Sequence, residues 1–136
     1  MQPMSIEENA GPTIYQMIGG DTKLRELVDR FYDLMDLEPE FALIRQLHPA
    51  VLDGSRDKLY WFLSGWSGGP NLFIEKFGHP RLRKRHIPFA IGIADRDQWV
   101  KCMDMAMSDV AIAPALHQHL LQSFMQTADW MRNKQE

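Results

Sequence analysis

His86 lies between two chemically different stretches of the chain. Cationic side chains occupy positions 81, 83, 84 and 85 before it, and the apolar residues Ile87, Phe89 and Ile91 follow it. One imidazole beside an apolar wall and a cluster of cations suits a flat apolar cofactor that carries anionic groups on its edge and binds through one axial nitrogen. The alternative is a basic surface turn, or a patch for nucleic acid, with no cofactor.

Tyr32, His48 and Trp99 form a second candidate group, although they are scattered along the chain. Each side chain combines an apolar body with a polar hydrogen. Tyr32 and Trp99 fall on the apolar faces of predicted helices, so their O–H and N–H groups need acceptors if they are buried. Two explanations stay open from the residues alone: the groups bond nearby carbonyls in the core, or they face a cavity.

Other residues give weaker indications of chemistry. His117 and His119 are two positions apart on a predicted helix, so they point in different directions and make a poor chelate. His79 precedes a proline, where we expect a corner residue that bonds backbone. Cys102 is the only cysteine and sits in an apolar stripe, which favours a small core residue over a reactive thiol. The sequence has no HExxH motif, phosphate-binding loop or GxSxG motif.

The elements that hold these residues are predicted to be helices. Val and Thr are scarce while Leu and Met are common, and no segment alternates apolar and polar residues as a half-buried strand does. Apolar residues at helical spacing predict long helices over about 21–36, 53–66, 95–110 and 114–131. Asp95 is expected to open the third of these, with Gln98 as its capping-box partner. The chain is therefore expected to be all-α.

Size and charge limit the possible classes. A chain of 136 residues with a net charge of −3 is one domain's worth of protein and is too acidic for one that mainly binds nucleic-acid backbone. No stretch approaches the roughly 20 apolar residues of a membrane span, and no secretory signal is visible. We expect a flexible leader over residues 1–12, a single domain over residues 13–136 and a cytoplasmic location.

Several short motifs, taken in order, are more specific than any single residue. They are GG at 19–20, RFY at 30–32, WSGGP at 66–70, GHPRLRKRH at 78–86 continued by PF at 88–89, and DQW at 97–99. With this set, the chain resembles the truncated haemoglobins, specifically their group II branch. The resemblance extends from about Tyr15 to Met131, nearly the whole chain.

The resemblance implies a two-over-two helical sandwich around a b-type haem, with His86 as the proximal iron ligand. It places Tyr32, His48 and Trp99 on the distal side, where they stabilise the ligand. The other residues that it implies are Ser55 and Leu59 in the distal wall, Lys58, Trp66, Arg83 and Arg85 near the propionates, and Phe62, Leu63, Phe77, Leu82, Phe89 and Ile93 around the haem.

The implied ligands are dioxygen, carbon monoxide, nitric oxide and peroxide. Several hydrogen bonds to a partly charged ligand slow its release, which favours tight binding or ligand chemistry over bulk transport. One alternative is a haem enzyme with nitric-oxide-detoxifying or peroxidase-like activity, supplied with electrons by an unknown reductase. Another is a cofactor-free helical interaction module that contacts an acidic partner through the basic turn at 81–85. We expect a monomer or homodimer without nucleic-acid or membrane partners.

Overall fold

The chain folds into α-helices joined by short connections. The computed structural model describes residues 11–135, so most of the expected leader over residues 1–12 lies outside the described residues. The helices of the described part are α1 Ile14–Ile18, α2 Gly20–Leu37, α3 Ala42–Gln46, α4 Asp53–Trp66, α5 Leu72–Phe77, α6 Leu82–His86, α7 Ile93–Asp109 and α8 Pro114–Trp130, with a 3-10 turn at Pro39–Phe41. No helix in this part of the chain has the length and hydropathy needed to cross a membrane.

Four long helices form the two layers. Helix α2 packs against α4 and α7, and α7 packs along α8. Each helix buries one stripe of apolar residues against the others, because apolar side chains at helical spacing share a face. The enclosed side chains include Leu24, Leu27 and Phe31 of α2, Met103 of α7 and Leu120 of α8. The prediction of an all-α, two-over-two sandwich is confirmed.

Helix α1 closes over the end of α4 and explains part of the WSGGP motif. The Thr13 hydroxyl accepts a hydrogen bond from the Gln16 N–H at 3.1 Å, and the Gln16 side chain accepts one from the Thr13 N–H at 2.9 Å. This reciprocal pair is a capping box at the N-terminus of α1. The Tyr15 N–H donates to the Ser67 carbonyl at 2.8 Å. A Cβ at Gly69 would lie 2.5 Å from the Tyr15 ring. Glycine is therefore needed at this position for α1 to approach so closely.

The start of α7 differs from the prediction. The helix begins at Ile93, and its N-cap is Gly92. Asp95 is the third residue of the helix, and its carboxylate accepts the Gly92 N–H at 2.8 Å. The Gln98 side chain instead accepts the Ile44 N–H at 3.3 Å and so connects α7 to α3. The predicted Asp95–Gln98 capping box is wrong, because the glycine cap places Asp95 where a capping-box acceptor belongs.

Cys102, His117 and His79, which gave only weak indications of chemistry in the sequence, make contacts that stabilise the fold. The Cys102 thiol is buried and donates to the Phe31 carbonyl at 3.2 Å, and burial raises the pKa of this thiol to about 12. His117 Nε2 lies 2.6 Å from the Asp104 carboxylate and joins α8 to α7. His79 Nδ1 accepts a backbone N–H at the corner before α6. Each residue therefore has a packing or bonding role within the fold.

Candidate functional site

His86 presents one ring nitrogen to its surroundings. It is the last residue of the five-residue helix α6 and is half-buried. Its Nδ1 lies 2.6 Å from the Leu82 carbonyl oxygen. A neutral imidazole carries one ring hydrogen, so this contact places the hydrogen on Nδ1 and leaves the lone pair on Nε2. Nε2 is then free to bind a metal, in an orientation that the Nδ1–H···O bond fixes.

Tyr32 of α2 and His48, which follows α3, are brought together. Their rings meet edge to face with centroids 5.7 Å apart. His48 Nδ1 lies 2.7 Å from the Ile44 carbonyl oxygen. Burial lowers the pKa of His48 and the Arg45 charge lowers it further, against the raising effect of the Ile44 hydrogen bond. His48 is therefore neutral near pH 7, with its hydrogen on Nδ1 and an acceptor lone pair on Nε2.

Trp99 of α7 joins this pair through Phe31. The Phe31 ring centroid lies 5.1 Å from that of Trp99 and 5.0 Å from that of Tyr32. Phe124 of α8 contacts the indole edge to face, with centroids 5.7 Å apart. Phe31 is fully enclosed and fixes the relative positions of the two polar aromatics. Sequence reasoning did not single out Phe31 as a site residue; its signals were its place in the RFY motif and in the apolar stripe of α2.

Two polar groups of this set, the Tyr32 hydroxyl and the Trp99 indole N–H, have no hydrogen-bond partner in the described part of the chain. Every fully enclosed side-chain nitrogen or oxygen among residues 11–135 has a hydrogen-bond partner. The Tyr32 hydroxyl and the Trp99 indole N–H make no hydrogen bond within this part of the chain, although Tyr32 is only 5% exposed. Neither group is fully enclosed, therefore. This argues against the first explanation left open by the sequence, in which both groups bond nearby carbonyls in the core.

Much of the implied haem wall is apolar surface that the protein leaves uncovered. Phe77 is 47% exposed, Phe89 is 42% exposed and Ile93 is 38% exposed. The Phe89 ring centroid lies 6.4 Å from that of His86. The half-buried members of the implied set are Ser55, Leu59, Phe62 and Leu82. Uncovered apolar side chains of this size indicate a surface that a ligand or partner covers.

Two residues of the implied set pack against protein instead. Leu63 is 2% exposed and belongs to the helical core. The Trp66 ring stacks nearly parallel on Phe124, with centroids 5.0 Å apart. Their contacts join α4 to the rest of the core. Sequence spacing placed them on the same helix as Leu59 and Phe62 but did not show which of these side chains the protein core would cover.

The three cationic residues implied to lie near the propionates differ in their contacts with the protein. Arg83 donates to the Trp130 carbonyl at 2.6 Å, and its guanidinium lies 5.1 Å from the Trp130 ring centroid. Arg85 donates to the Pro80 carbonyl only through Nε, at 2.6 Å. Lys58 is exposed on α4. Each arginine uses one guanidinium nitrogen in these contacts, so Arg83, Arg85 and Lys58 all have donors available for an anionic edge group.

Arg56 is a residue that sequence reasoning missed. It donates to the Asp29 carbonyl at 3.0 Å and to the Asp33 carboxylate at 2.7 Å, which joins α4 to α2. Its guanidinium also lies 5.9 Å from the Tyr32 ring centroid. Two aspartates four residues apart on one helix predict a cationic partner, but they do not indicate which cation fills the position.

A family comparison decides what kind of protein has this arrangement. The model of the bacterial-like globin family matches residues 13–133. The chain belongs to this family. The globin is 36% identical to the group 2 truncated hemoglobin YjbI of Bacillus subtilis strain 168, over 90% of this chain and 89% of the relative.

Solved structures agree with the family match. The group II 2-on-2 hemoglobin of the plant pathogen Agrobacterium tumefaciens is 44% identical, with a TM-score of 0.87 and coverage of 92% of this chain and 96% of that one. A truncated oxygen-avid haemoglobin of Bacillus subtilis is 35% identical, with a TM-score of 0.81 and coverage of 90% and 100%. The resemblance to group II truncated haemoglobins is confirmed.

The globin family carries haem with its iron, and the residues of this site fit such a group. Among the described residues no cluster of three or more His, Cys, Asp or Glu side chains is arranged to hold a metal ion. His86 instead offers one free nitrogen, which suits iron that a porphyrin already binds through four nitrogens. The uncovered apolar residues and the free donors of Arg85 suit the ring and its propionates. Family membership thus excludes the cofactor-free interaction module.

The titration of His48 predicts how stability depends on pH. Burial lowers the pKa of His48 in the folded state below its ordinary value near 6.5, so the unfolded chain binds the proton more readily. As the pH falls from about 6.5 toward the lower pKa that His48 has in the folded state, protonation of the unfolded chain decreases the free energy of unfolding. We expect a His48→Gln protein to lose less stability than wild type between pH 7 and 5, measured by urea unfolding at each pH. His119 is exposed, so His119→Gln is the control and should match wild type; equal slopes for all three proteins would contradict the prediction.

Proposed function

We propose that this globin binds dioxygen and other diatomic ligands at a haem iron held by His86, beside a distal network of Tyr32, His48 and Trp99. The haem is proposed to be b-type. Covalent attachment requires cysteines in a CxxCH motif, which the sequence lacks, and the single cysteine is buried in α7. Haem iron supplies reversible binding of dioxygen and carbon monoxide in its ferrous state, and the chain's residues set how tightly.

One observation carries the proposal: the Tyr32 hydroxyl and the Trp99 N–H lie on aromatic side chains that pack against the same Phe31 ring, and neither makes a hydrogen bond within residues 11–135. The Tyr32 hydroxyl and the Trp99 N–H are held in position by Phe31, which contacts both rings. At a haem held by His86, a diatomic ligand such as dioxygen would accept hydrogen bonds from these two groups. Donors fixed in advance toward such a ligand stabilise it without a further ordering cost.

We propose that His48 supports the distal network indirectly rather than as a donor to the ligand. Its ring is neutral, and its hydrogen on Nδ1 is bonded to the Ile44 carbonyl. The remaining nitrogen is an acceptor, so His48 is not a donor to the ligand near neutral pH. We propose that His48 acts on the Tyr32 side of the pocket, where its ring edge positions Tyr32 and its Nε2 accepts a hydrogen bond from water.

Two strong donors in the distal pocket favour slow oxygen release. A hydrogen bond to a charged or partly charged acceptor contributes about 1.5–3 kcal/mol, and each 1.4 kcal/mol is a factor of ten in affinity. The similar chain of Bacillus subtilis is described as oxygen-avid, which supports the same behaviour here. We therefore propose tight oxygen binding rather than bulk transport.

The same donors support a second candidate, a haem enzyme with nitric-oxide-detoxifying or peroxidase-like activity. Such turnover needs an external electron donor, because the sequence has no flavin or nicotinamide motif. Arg81, Lys84 and Arg85 are exposed beside the site and suit an acidic reductase surface. A cytoplasmic location fits this source of electrons, and either a monomer or a homodimer is compatible with the site.

Absorption spectra of the purified protein test the proposal. We expect a Soret band in the oxidised form that shifts on reduction and shifts again under carbon monoxide, and a pyridine haemochrome characteristic of b-type haem. Stopped-flow oxygen release then separates the candidates. Slow release without faster removal of nitric oxide or peroxide than free haem favours the binding protein, whereas turnover with a reductase favours the enzyme. A protein that binds no added haem would refute both.

A further inference from the structure

The segment after α8 returns to the turn that carries His86. Asn133 is the centre of this contact. Its side-chain oxygen accepts the Ile91 N–H at 2.8 Å, and its amide nitrogen donates to the Phe89 carbonyl at 2.6 Å and to the His86 carbonyl at 3.2 Å. Its own backbone N–H donates to the Ile91 carbonyl at 2.9 Å. One asparagine thus bonds to the last residue of α6 and to two residues of the loop between α6 and α7.

The Asn133 contacts add to a few backbone hydrogen bonds in this region, among them that of the Phe89 N–H to the His86 carbonyl at 3.0 Å. Helix α6 has only five residues, and a helix of that length is unstable by itself. Residues 87–92 lie between α6 and α7 and are outside regular helix. Free carbonyls at a helix end need donors, and two of the donor contacts here come from the Asn133 amide. The asparagine amide fits because it supplies a donor and an acceptor on one rigid group.

A second contact connects α6 to the same region of the chain. Arg83 donates to the carbonyl of Trp130, the last residue of α8, at 2.6 Å. Positions 83 and 86 are three residues apart, so they lie on the same face of α6. The end of α8 and the segment after it therefore contact α6 at two points, one of which is the carbonyl of His86 itself.

We propose that Asn133 is a positioning residue for the proximal ligand: by holding the His86 and Phe89 carbonyls, it sets the direction of the His86 imidazole toward the iron. This inference rests on the proposed role of His86. The Asn133 side chain touches neither haem nor ligand in this account. It acts through the backbone of the turn, and its loss should change the iron–histidine bond as well as the retention of haem.

The test compares Asn133→Ala, Asn133→Asp and Lys134→Ala with wild type, all as haem-loaded proteins. Asn133→Ala removes three side-chain hydrogen bonds, and we expect haem transfer to apomyoglobin to be about tenfold faster. Asn133→Asp keeps the acceptor for Ile91 but faces two carbonyl oxygens with a carboxylate oxygen, so we expect faster transfer still. Lys134→Ala changes only the adjacent side chain and should match wild type.

Resonance Raman spectra of the ferrous proteins distinguish positioning from general stability. We expect the iron–histidine stretching band of both Asn133 variants to shift or broaden relative to wild type and Lys134→Ala. Amide hydrogen exchange of the haem-free proteins should show faster exchange at Ile91 in the variants. If the wild-type band is present and unchanged in the variants, the positioning role is wrong while the proposed function stands. If wild type has no iron–histidine band, the assignment of His86 itself fails.

Discussion

Replacing His86 by alanine is expected to remove nearly all of the bound haem. The free Nε2 is the protein's single proposed iron ligand, and none of the described residues forms a metal-binding cluster that could replace it. The uncovered apolar wall still attracts the porphyrin, so weak, nonspecific haem association remains. The measurement is the ratio of Soret absorbance to protein absorbance after gel filtration, and we expect it to fall to a small fraction of the wild-type ratio.

Two controls separate the loss of a ligand from the loss of the fold. His119→Ala removes an exposed histidine of α8 and should leave the haem content unchanged. His86→Gly opens a space in which added imidazole can take the place of the side chain, so imidazole should restore a Soret band to that variant. Far-ultraviolet circular dichroism should show that both His86 variants stay helical, because the buried core lies among α2, α4, α7 and α8. Normal haem content in His86→Ala would refute the proximal assignment.

The helices were predictable because their signal is local. The apolar positions of α2, including Leu24, Leu27 and Phe31, recur at helical spacing and are all buried. The glycines of WSGGP likewise mark the end of α4 through their own backbone requirements. The start of α7 was placed at Asp95 instead of Ile93, because a capping aspartate and an aspartate at the third helical position look alike in a sequence.

The site was predictable in its residue types but not in its bonding. The resemblance supplied Tyr32, His48 and Trp99. In the structure, Tyr32 contacts His48 directly, and Phe31 lies between Tyr32 and Trp99. Nothing in the sequence shows that His48 gives its ring hydrogen to Ile44, a contact that makes it an acceptor toward the pocket. That bond depends on the local geometry at the end of α3, which spacing does not determine.

Long-range polar contacts were the hardest part to predict. Arg56 meets Asp29 and Asp33 across two helices, and Asn133 meets the loop that follows His86 from the far end of the chain. Each pairing requires two backbones to be positioned to within a hydrogen-bond length. Sequence periodicity gives the face of a helix but not its rotation and height against a neighbour, so such pairs have no reliable local signature.

Replacing Trp99 by phenylalanine is expected to speed oxygen release about tenfold, if its N–H contributes about 1.4 kcal/mol to the bound ligand. Phenylalanine keeps an aromatic ring against Phe31 and Phe124, whose centroids lie 5.1 and 5.7 Å from that of the indole. The substitution therefore removes mainly the N–H donor. Stopped-flow displacement of oxygen by carbon monoxide measures the rate directly.

The size of this effect follows from which distal groups can donate. His48 near neutral pH has its hydrogen on Nδ1, bonded to Ile44, so only Tyr32 and Trp99 offer hydrogens to a ligand. Trp130→Phe, at a tryptophan 63% exposed near the end of α8, should leave the rate unchanged. Tyr32→Phe with Trp99→Phe should release oxygen faster than either single variant, because each removes a separate donor. An unchanged rate in Trp99→Phe would mean that the indole only packs against its aromatic neighbours.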